Sequence, residues 1–317
     1  MSSNTESNAA VPPPVPAAPA LRPLRGVRVF SLALNLPGPG ALMRLRAMGA
    51  TCTKAEPPAP KSLPAGASGD PMGLYNPGAY AAMHAGVKVI TIDLKSDKGQ
   101  AALHKALAST DVLLTSFRPS ALAKLGLGWK ALHKRYPTLS QVAIVGAPGA
   151  RAEEPGHDLT YLADNGLVTG LDLPPTLFAD MGGALMTSEA VLKAVLAQRL
   201  GKSGKGSFQE VALSEAAAWL ALPRSWGLTQ PSGSVGGAHA GYKVYPCKDG
   251  RVAVAALEPH FAAALCAAAG VPASADRALM FAPATHQAIA AFLLTQTRRK
   301  LDKLAVAKDI PLHTLAK

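Results

Sequence analysis

Four polar residues in the second half of the chain have side chains suited to acid–base chemistry: His157, Asp158, Asp180 and Glu258. Histidine exchanges protons near neutral pH, and a carboxylate beside it can hold the ring in one tautomer and stabilise its cation. The three acids stand at or just before predicted helix starts, where the helix dipole favours an anion. Each also has a purely structural interpretation, because aspartate caps helices and an acid before proline suits a helix start.

The charge of the chain points to an anionic partner. The 317 residues include 32 Lys+Arg and 20 Asp+Glu, which gives a formal net charge of +12. Aromatic residues make up only 5%, and no basic stripe is interleaved with them. This composition argues against a nucleic-acid platform, whose binding to DNA would depend steeply on salt. We therefore expect no nucleic-acid partner.

Composition also bounds the class of protein. Hydrophobic residues make up 49% and charged residues 16%, which is too apolar for a disordered chain, and the length of 317 residues suits about two domains. No apolar run approaches the roughly 20 residues of a transmembrane helix, so we expect no membrane span. Three widely spaced cysteines favour neither a disulfide framework nor a Cys-based zinc site, and no metal is expected. Residues 1–24 lack the features of a secretory signal and predict a disordered Pro/Ala-rich tail on a cytoplasmic protein.

The elements that must position the polar residues alternate in type. Strands are predicted at 27–34, 51–55, 87–94, 111–117 and 139–145, with helices at 41–48 and 98–109 and a long loop at 56–80. Such alternation predicts βαβ units and a parallel sheet, because parallel neighbours need a crossover connection.

The second half of the chain has a different pattern. Helices are predicted at 157–169 and 182–200, and a short strand at 208–213 runs into an Ala-rich helix. Strands at 242–247 and 251–257 flank an Asp-Gly step, a strong hairpin signal, and a helix follows from Pro259. This pattern predicts a separate, smaller domain.

One alternative function is a nicotinamide dehydrogenase. Gly38-Pro39-Gly40 supplies two of the three glycines of G-x-G-x-x-G, but position 43 is Met, and Glu56 stands roughly where a ribose-binding acid would be. A lone partial match is weak support for that function. The sequence contains neither a P-loop nor the G-x-S-x-G of a hydrolase.

Eight stretches, in order and with similar spacings, resemble the family III CoA-transferase superfamily (CaiB/BaiF type) and within it the α-methylacyl-CoA racemases. They are LRGVRVFSLALNLPGPG (24–40), MGATCTKAEPP (48–58), VITIDLKSDKG (89–99), DVLLTSFRPSALAKLGLG (111–128), PGHDLTYLADNGL (155–167), LFADMGGA (177–184), GKGSFQEVALSEA (204–216) and YPCKDGRVAVAALEPHF (245–261).

The resemblance implies an α/β fold with a Rossmann-like parallel-sheet large domain, a smaller α+β domain and an interlocked homodimer. It divides the chain into the tail 1–24, a large CoA-binding domain 25–205, connecting helices 206–235, a small domain 236–305 and a shortened C-terminal return 306–317. Because relatives continue further, a non-catalytic CoA-binding homologue is one alternative.

The resemblance also assigns roles to the polar residues. In the racemases, Asp180 and His157 are the two bases of a 1,1-proton transfer through the enolate of a 2-methylacyl-CoA, and Glu258 pairs with the histidine. In the transferases, Asp180 forms a covalent acyl anhydride and position 157 is more often aromatic. The filled histidine position favours the racemase, with the transferase as the alternative.

The remaining assignments concern the acyl-CoA thioester. Lys88, Arg118 and Lys124 match the CoA side, while Asp158 and Tyr161 match the lining of the thioester pocket. The coenzyme A moiety of the substrate is the only cofactor implied. Each lysine or arginine also has a simpler interpretation as a solvated surface charge.

Overall fold

The structure is a computed structural model that describes residues 21–64, 66–201, 203–272 and 277–316. Most of the predicted tail, residues 1–20, lies outside the described residues, whereas Leu24 is buried in the core. The chain divides into two compact units, one ending at Leu220 and the other comprising Ala221–Lys317. The domain boundaries given above stay predictions.

The first unit is built on a six-stranded parallel sheet with the order β3-β2-β1-β4-β5-β6. The strands are β1 (Arg28–Ser31), β2 (Thr51–Glu56), β3 (Lys88–Thr91), β4 (Val112–Thr115), β5 (Ser140–Val145) and β6 (Phe208–Ala212). The predicted Rossmann-like parallel sheet is therefore confirmed. From β1 the chain passes through β2 and β3 on one side of the sheet and then returns to β4 on the other side of β1. The strand order therefore reverses between β1 and β4.

Helices cover both faces of this sheet because its strands alternate apolar residues between the faces. Val29 and Leu114 pack with α1 (Pro37–Ala47) and α8 (Phe178–Leu200). Phe30 and Leu113 pack on the other face, with α4 (Asp97–Leu107), α5 (Pro119–Lys124) and α6 (Trp129–Arg135). The remaining α-helices of the unit are α2 (Met72–Tyr75), α3 (Pro77–Met83), α7 (Asp158–Asp164) and α9 (Leu213–Leu220), and a short 3₁₀ helix lies at Gly149–Glu153.

Two helix starts differ from the sequence prediction. The Pro37-Gly38-Pro39-Gly40 segment, predicted as a turn, is the first turn of α1, because proline is well tolerated before the helix needs its own N–H donors. Helix α8 begins at Phe178 rather than at Gly182. The predicted 56–80 loop also contains α2 and the start of α3.

The second unit is a smaller α+β arrangement around a three-stranded antiparallel sheet. The predicted hairpin is present as β7 (Tyr242–Cys247) and β8 (Gly250–Ala255), and β9 (Leu312–Leu315) pairs with β8 on its other side. Helices α10 (Leu222–Ser225), α11 (Pro259–Ala268), α12 (Pro283–Thr295) and α13 (Arg298–Lys308) complete the unit. Among the helices of the described residues, none combines the length and apolar character needed to cross a membrane.

Candidate active site

A cavity of about 180 Å³ lies at the carboxyl ends of the central strands of the first unit. Its walls come from the segments that follow β1 (Leu34, Asn35), β4 (Ser116, Phe117, Arg118) and β5 (Gly146). In open parallel sheets, ligands bind where the strand order reverses, outside the carboxyl ends of the strands. The cavity occupies that point, between β1 and β4.

His157 lines this cavity from the N-terminus of α7. It is the N-cap residue, in an extended backbone conformation, and its side chain is exposed. Its backbone N–H donates to Thr160 Oγ1 at 3.1 Å, and the Thr160 hydroxyl donates back to the His157 carbonyl at 2.7 Å. The exchange of hydrogen bonds fixes the backbone that carries the imidazole.

Asp158 does not cap its own helix, contrary to the structural interpretation of the sequence. It is the first residue of α7, it is buried, and its Oδ1 accepts a hydrogen bond from the backbone N–H of Asp180 at 2.9 Å. The Asp158 carboxylate therefore ties α7 to α8. It also occupies one of the N–H donors that the start of α8 could otherwise offer to a substrate oxygen.

Asp180 lies in the first turn of α8, is partly buried, and lines the same cavity as His157. Burial, and then the negative charge of Asp158, raise the pKa of Asp180 to about 7. A carboxyl group with that pKa can both give and take a proton near neutral pH.

Tyr161 also lines the cavity. Its ring packs against Gly146 and Gly156, where a Cβ atom at either glycine would collide with the tyrosine side chain. Burial raises the pKa of Tyr161, the charge of Asp180 acts in the same direction, and the charge of Arg118 opposes them. The hydroxyl thus stays protonated beside the carboxyl group of Asp180.

The structure brings some of the predicted residues together and not others. His157, Tyr161, Asp180 and Arg118 line the cavity, and Asp158 contacts it through Asp180. Lys88 is exposed on β3, the sheet edge two strands from β1, and does not line it. Two further predicted site residues are not in the lining of this cavity. Lys124 is exposed at the end of α5, and Glu258 is exposed at the N-cap of α11 in the second unit.

The geometry removes the support for a dinucleotide-binding function. Glu56, the candidate ribose-binding acid, is buried and accepts hydrogen bonds from the hydroxyls of Ser68 at 2.5 Å and Tyr80 at 2.6 Å. Its carboxylate also forms an ion pair with Lys54 at 2.9 Å. Pro37 and Pro39 leave α1 without two of the N–H donors that would cradle a pyrophosphate.

Sequence reasoning missed the contribution of the segment after β1. Asn35 lines the cavity with a φ of 62°, in the left-handed region. The Leu34 N–H donates to Ser116 Oγ at 3.1 Å and the Asn35 N–H to Asp70 Oδ1 at 3.0 Å. Asparagine tolerates the left-handed region better than most residues, and that preference is the only sequence signal for this turn.

Comparison with known proteins gives relatives with two kinds of activity. Over 166 residues the chain is 34% identical to the cinnamoyl-CoA:phenyllactate CoA-transferase of Clostridium sporogenes, covering 50% of this chain and 40% of that protein. Over 260 residues it is 31% identical to the α-methylacyl-CoA racemase of Mus musculus, covering 76% and 63%. The chain thus spans less than two thirds of the length of these relatives.

Similarity in fold and in sequence pattern extends over most of the chain. A crystal structure of a CaiB/BaiF family protein from Brucella suis matches with a TM-score of 0.74 at 22% identity, covering 94% of this chain and 85% of the other. The model of CoA-transferase family III matches residues 24–317. The chain therefore belongs to CoA-transferase family III.

Proposed function

We propose that this protein interconverts the two configurations of a 2-methylacyl-CoA thioester by 1,1-proton transfer through an enolate. The observation that carries the proposal is that His157 and Asp180 line one cavity and that the pKa of Asp180 is raised to about 7. Inversion at the carbon beside a thioester needs a base on one face and an acid on the other. An imidazole on one side and a carboxyl group whose pKa is raised to about 7 on the other meet that need.

The proposed reaction balances with these two groups alone. Neutral His157 removes the α-proton from one face and becomes an imidazolium, and the C–H electron pair moves into the enolate. Protonated Asp180 then gives its proton to the opposite face, which leaves a carboxylate and the inverted thioester. Exchange of one proton with solvent at each group restores the starting state, so the reaction incorporates solvent hydrogen at the α-carbon.

The residues around the two proton carriers fit the enolate. The N–H of Asp180 already donates to Asp158, so it is not available to the enolate oxygen. The protonated hydroxyl of Tyr161, which lines the cavity, is the donor we assign to that oxygen. Glu258 is proposed to pair with His157, as the family resemblance implies.

Coenzyme A is the proposed carrier of the acyl group and the only cofactor. Arg118 lines the cavity, and Lys124 follows it on α5. Both cations suit the phosphate groups of coenzyme A, and part of the net charge of +12 has its use there. Lys88 stays a proposed contact on the same family grounds.

Transfer of coenzyme A between carboxylic acids is the second candidate. It is favoured by the CoA-transferase among the relatives and by the position of Asp180 in the cavity, where a carboxylate can attack a thioester carbonyl. That reaction passes through an anhydride at Asp180 and needs an acid acceptor. A homologue that binds coenzyme A without turnover is the third.

Incubation of a 2-methylacyl-CoA with the protein in deuterated water, without an acid acceptor, separates these candidates. We expect deuterium at the α-carbon with wild type and its loss in His157→Ala and Asp180→Ala, while Asp164→Asn, an exposed change on α7, retains it. Full exchange in both alanine variants contradicts the proposal. A hydroxylamine-sensitive adduct at Asp180 without exchange supports the transferase, and binding without either reaction supports the third candidate.

The proposed homodimer has its own test. Light scattering of the purified protein should give twice the mass of one chain, 32.5 kDa. A mass of one chain at micromolar concentration contradicts the dimer.

A further inference from the structure

A cluster of charged and polar side chains is buried beside the cavity, in the first unit. We call it the Lys54 cluster, and it consists of Lys54, Glu56, Asp70 and His84. Lys54 and Asp70 are fully buried, with no exposed side-chain area, and they form an ion pair. Burying a charge costs folding free energy unless the charge is paired and hydrogen-bonded. A buried cluster of this kind therefore needs a structural or functional explanation.

Every donor of the buried ammonium group has a partner. The His84 Nδ1 lies 2.7 Å from the Tyr80 carbonyl, so this nitrogen carries the proton and the Nε2 is an acceptor. Lys54 Nζ then donates to Asp70 Oδ2, to Glu56 Oε1 at 2.9 Å and to His84 Nε2 at 3.0 Å. Three donors meet three acceptors, which holds the Asp70 carboxylate in one orientation.

The second oxygen of Asp70 reaches the wall of the cavity. Asp70 Oδ1 accepts hydrogen bonds from the backbone N–H of Asn35 at 3.0 Å and of Met72 at 2.9 Å. Asn35 has a φ of 62° and lines the cavity together with Leu34 and Pro37. The left-handed conformation costs free energy for any residue other than glycine, less for asparagine than for most, and hydrogen bonds from the surrounding structure offset that cost.

We propose that the Lys54 cluster is a positioning device: through Asp70 it holds Asn35 in the left-handed conformation and fixes the cavity wall after β1. The expected effect on turnover rests on the proposed function, in which this wall places the acyl group between His157 and Asp180. None of the four cluster residues lines the cavity. Their role is to position the turn that does.

The test uses the backbone preference of residue 35. Asp70→Ala removes the acceptor of the Asn35 N–H and leaves Lys54 paired with Glu56, so the remaining charges balance. We expect kcat for α-proton exchange to fall about 10- to 100-fold, since a displacement of about 1 Å can cost that much. Glycine enters the left-handed region at no steric cost. Asp70→Ala should therefore lower kcat by less than about threefold when it is made in the Asn35→Gly background.

A second measurement needs neither substrate nor activity. Asp70→Ala should speed hydrogen–deuterium exchange in the peptide containing residues 33–36 while leaving strand β4 protected. If Asp70→Ala does not fold, Asn35→Ala replaces it. Alanine should populate the left-handed conformation about 5- to 30-fold less than the glycine of Asn35→Gly does. Asp93→Ala is the matched control, since Asp93 accepts the N–H of Lys95 in an exposed turn after β3.

The outcomes separate this inference from the proposed function. Faster exchange in Asp70→Ala that is confined to residues 33–36 and to the amide of Met72, which loses the same acceptor, supports the positioning role even if the wild type shows no α-proton exchange. The inference is overturned if residues 33–36 stay as protected as in wild type, or if Asp70→Ala lowers kcat equally in the Asn35→Gly background. Faster amide exchange across the whole unit also overturns it, because that result describes general destabilisation.

Discussion

Asp180→Asn should stabilise the folded protein, and by more as the pH rises. Burial and the charge of Asp158 raise the pKa of Asp180 from 3.8 to about 7. Between these two values the folded state holds a proton that the unfolded state has lost. The wild type therefore loses stability as pH rises through this window, whereas an asparagine at this position does not titrate.

The magnitude follows from the width of the window. Each pH unit within it costs the wild type up to about 1.4 kcal/mol, so ionised Asp180 destabilises the fold by about 4 kcal/mol above pH 7. About 2 kcal/mol of this is already present near pH 5. The free energy of unfolding of Asp180→Asn minus that of wild type should thus grow by about 2–3 kcal/mol from about pH 5 to about pH 8.

Urea unfolding of both proteins at the two pH values measures this growth. Any pH-independent gain or loss from the amide cancels, because only the change in the difference is used. Asp172→Asn, at an exposed aspartate in the connection between α7 and α8, is the matched control and should show a constant difference. A difference for Asp180→Asn that stays constant, or shrinks toward pH 8, refutes the assignment of a raised pKa.

Two further changes test the surroundings of Asp180. Asp158→Asn removes the like charge, so the pKa of Asp180 should fall while burial, the larger cause, keeps it above its ordinary value. The alkaline limb of the pH–rate profile, where the protonated form of Asp180 is lost, should therefore move to lower pH, and an unmoved limb contradicts the coupling. Gly146→Ala places a methyl group against Tyr161 and should cost about 1–3 kcal/mol in urea unfolding. Gly128→Ala, which meets open space, should change the stability little, and equal costs would contradict the steric argument.

The parallel sheet could be predicted from sequence because its signals are local. Strands such as β4 (VLLT) and β5 (SQVAIV) contain consecutive apolar residues, at 112–114 and 142–145, which is typical of strands buried on both faces. The start of α8 was missed because Asp180 was interpreted as a cap before the helix, whereas it lies in the first turn. Gly182 and Gly183, inside the helix, are poor helix formers. Added Cβ atoms there would press on Ala216 and Leu213, so the close packing of α8 against α9 overrides the propensity.

The candidate site could be predicted only in part, because contacts between residues far apart in the chain leave no local signal in the sequence. The types and order of His157 and Asp180 were readable, and the cavity contains both. The bond from Asp180 to Asp158 joins residues 22 apart, and the contact of Asn35 with Asp70 joins residues 35 apart. Neither leaves a periodic trace in the sequence. Lys54 looks like an ordinary strand residue, and only the fold shows that it is fully buried.

Helices α7 and α8 both belong to the connection between β5 and β6, and this has a consequence for biosynthesis. The strands β1 and β4, whose following segments form one wall of the cavity, leave the ribosome before residues 157 and 180 do. The connection is closed only when Phe208–Ala212 pairs with β5. A nascent chain that has reached Val145 can assemble five strands and still lack both proton carriers. Both proton carriers of the proposed reaction are thus made only after five of the six strands of the first unit.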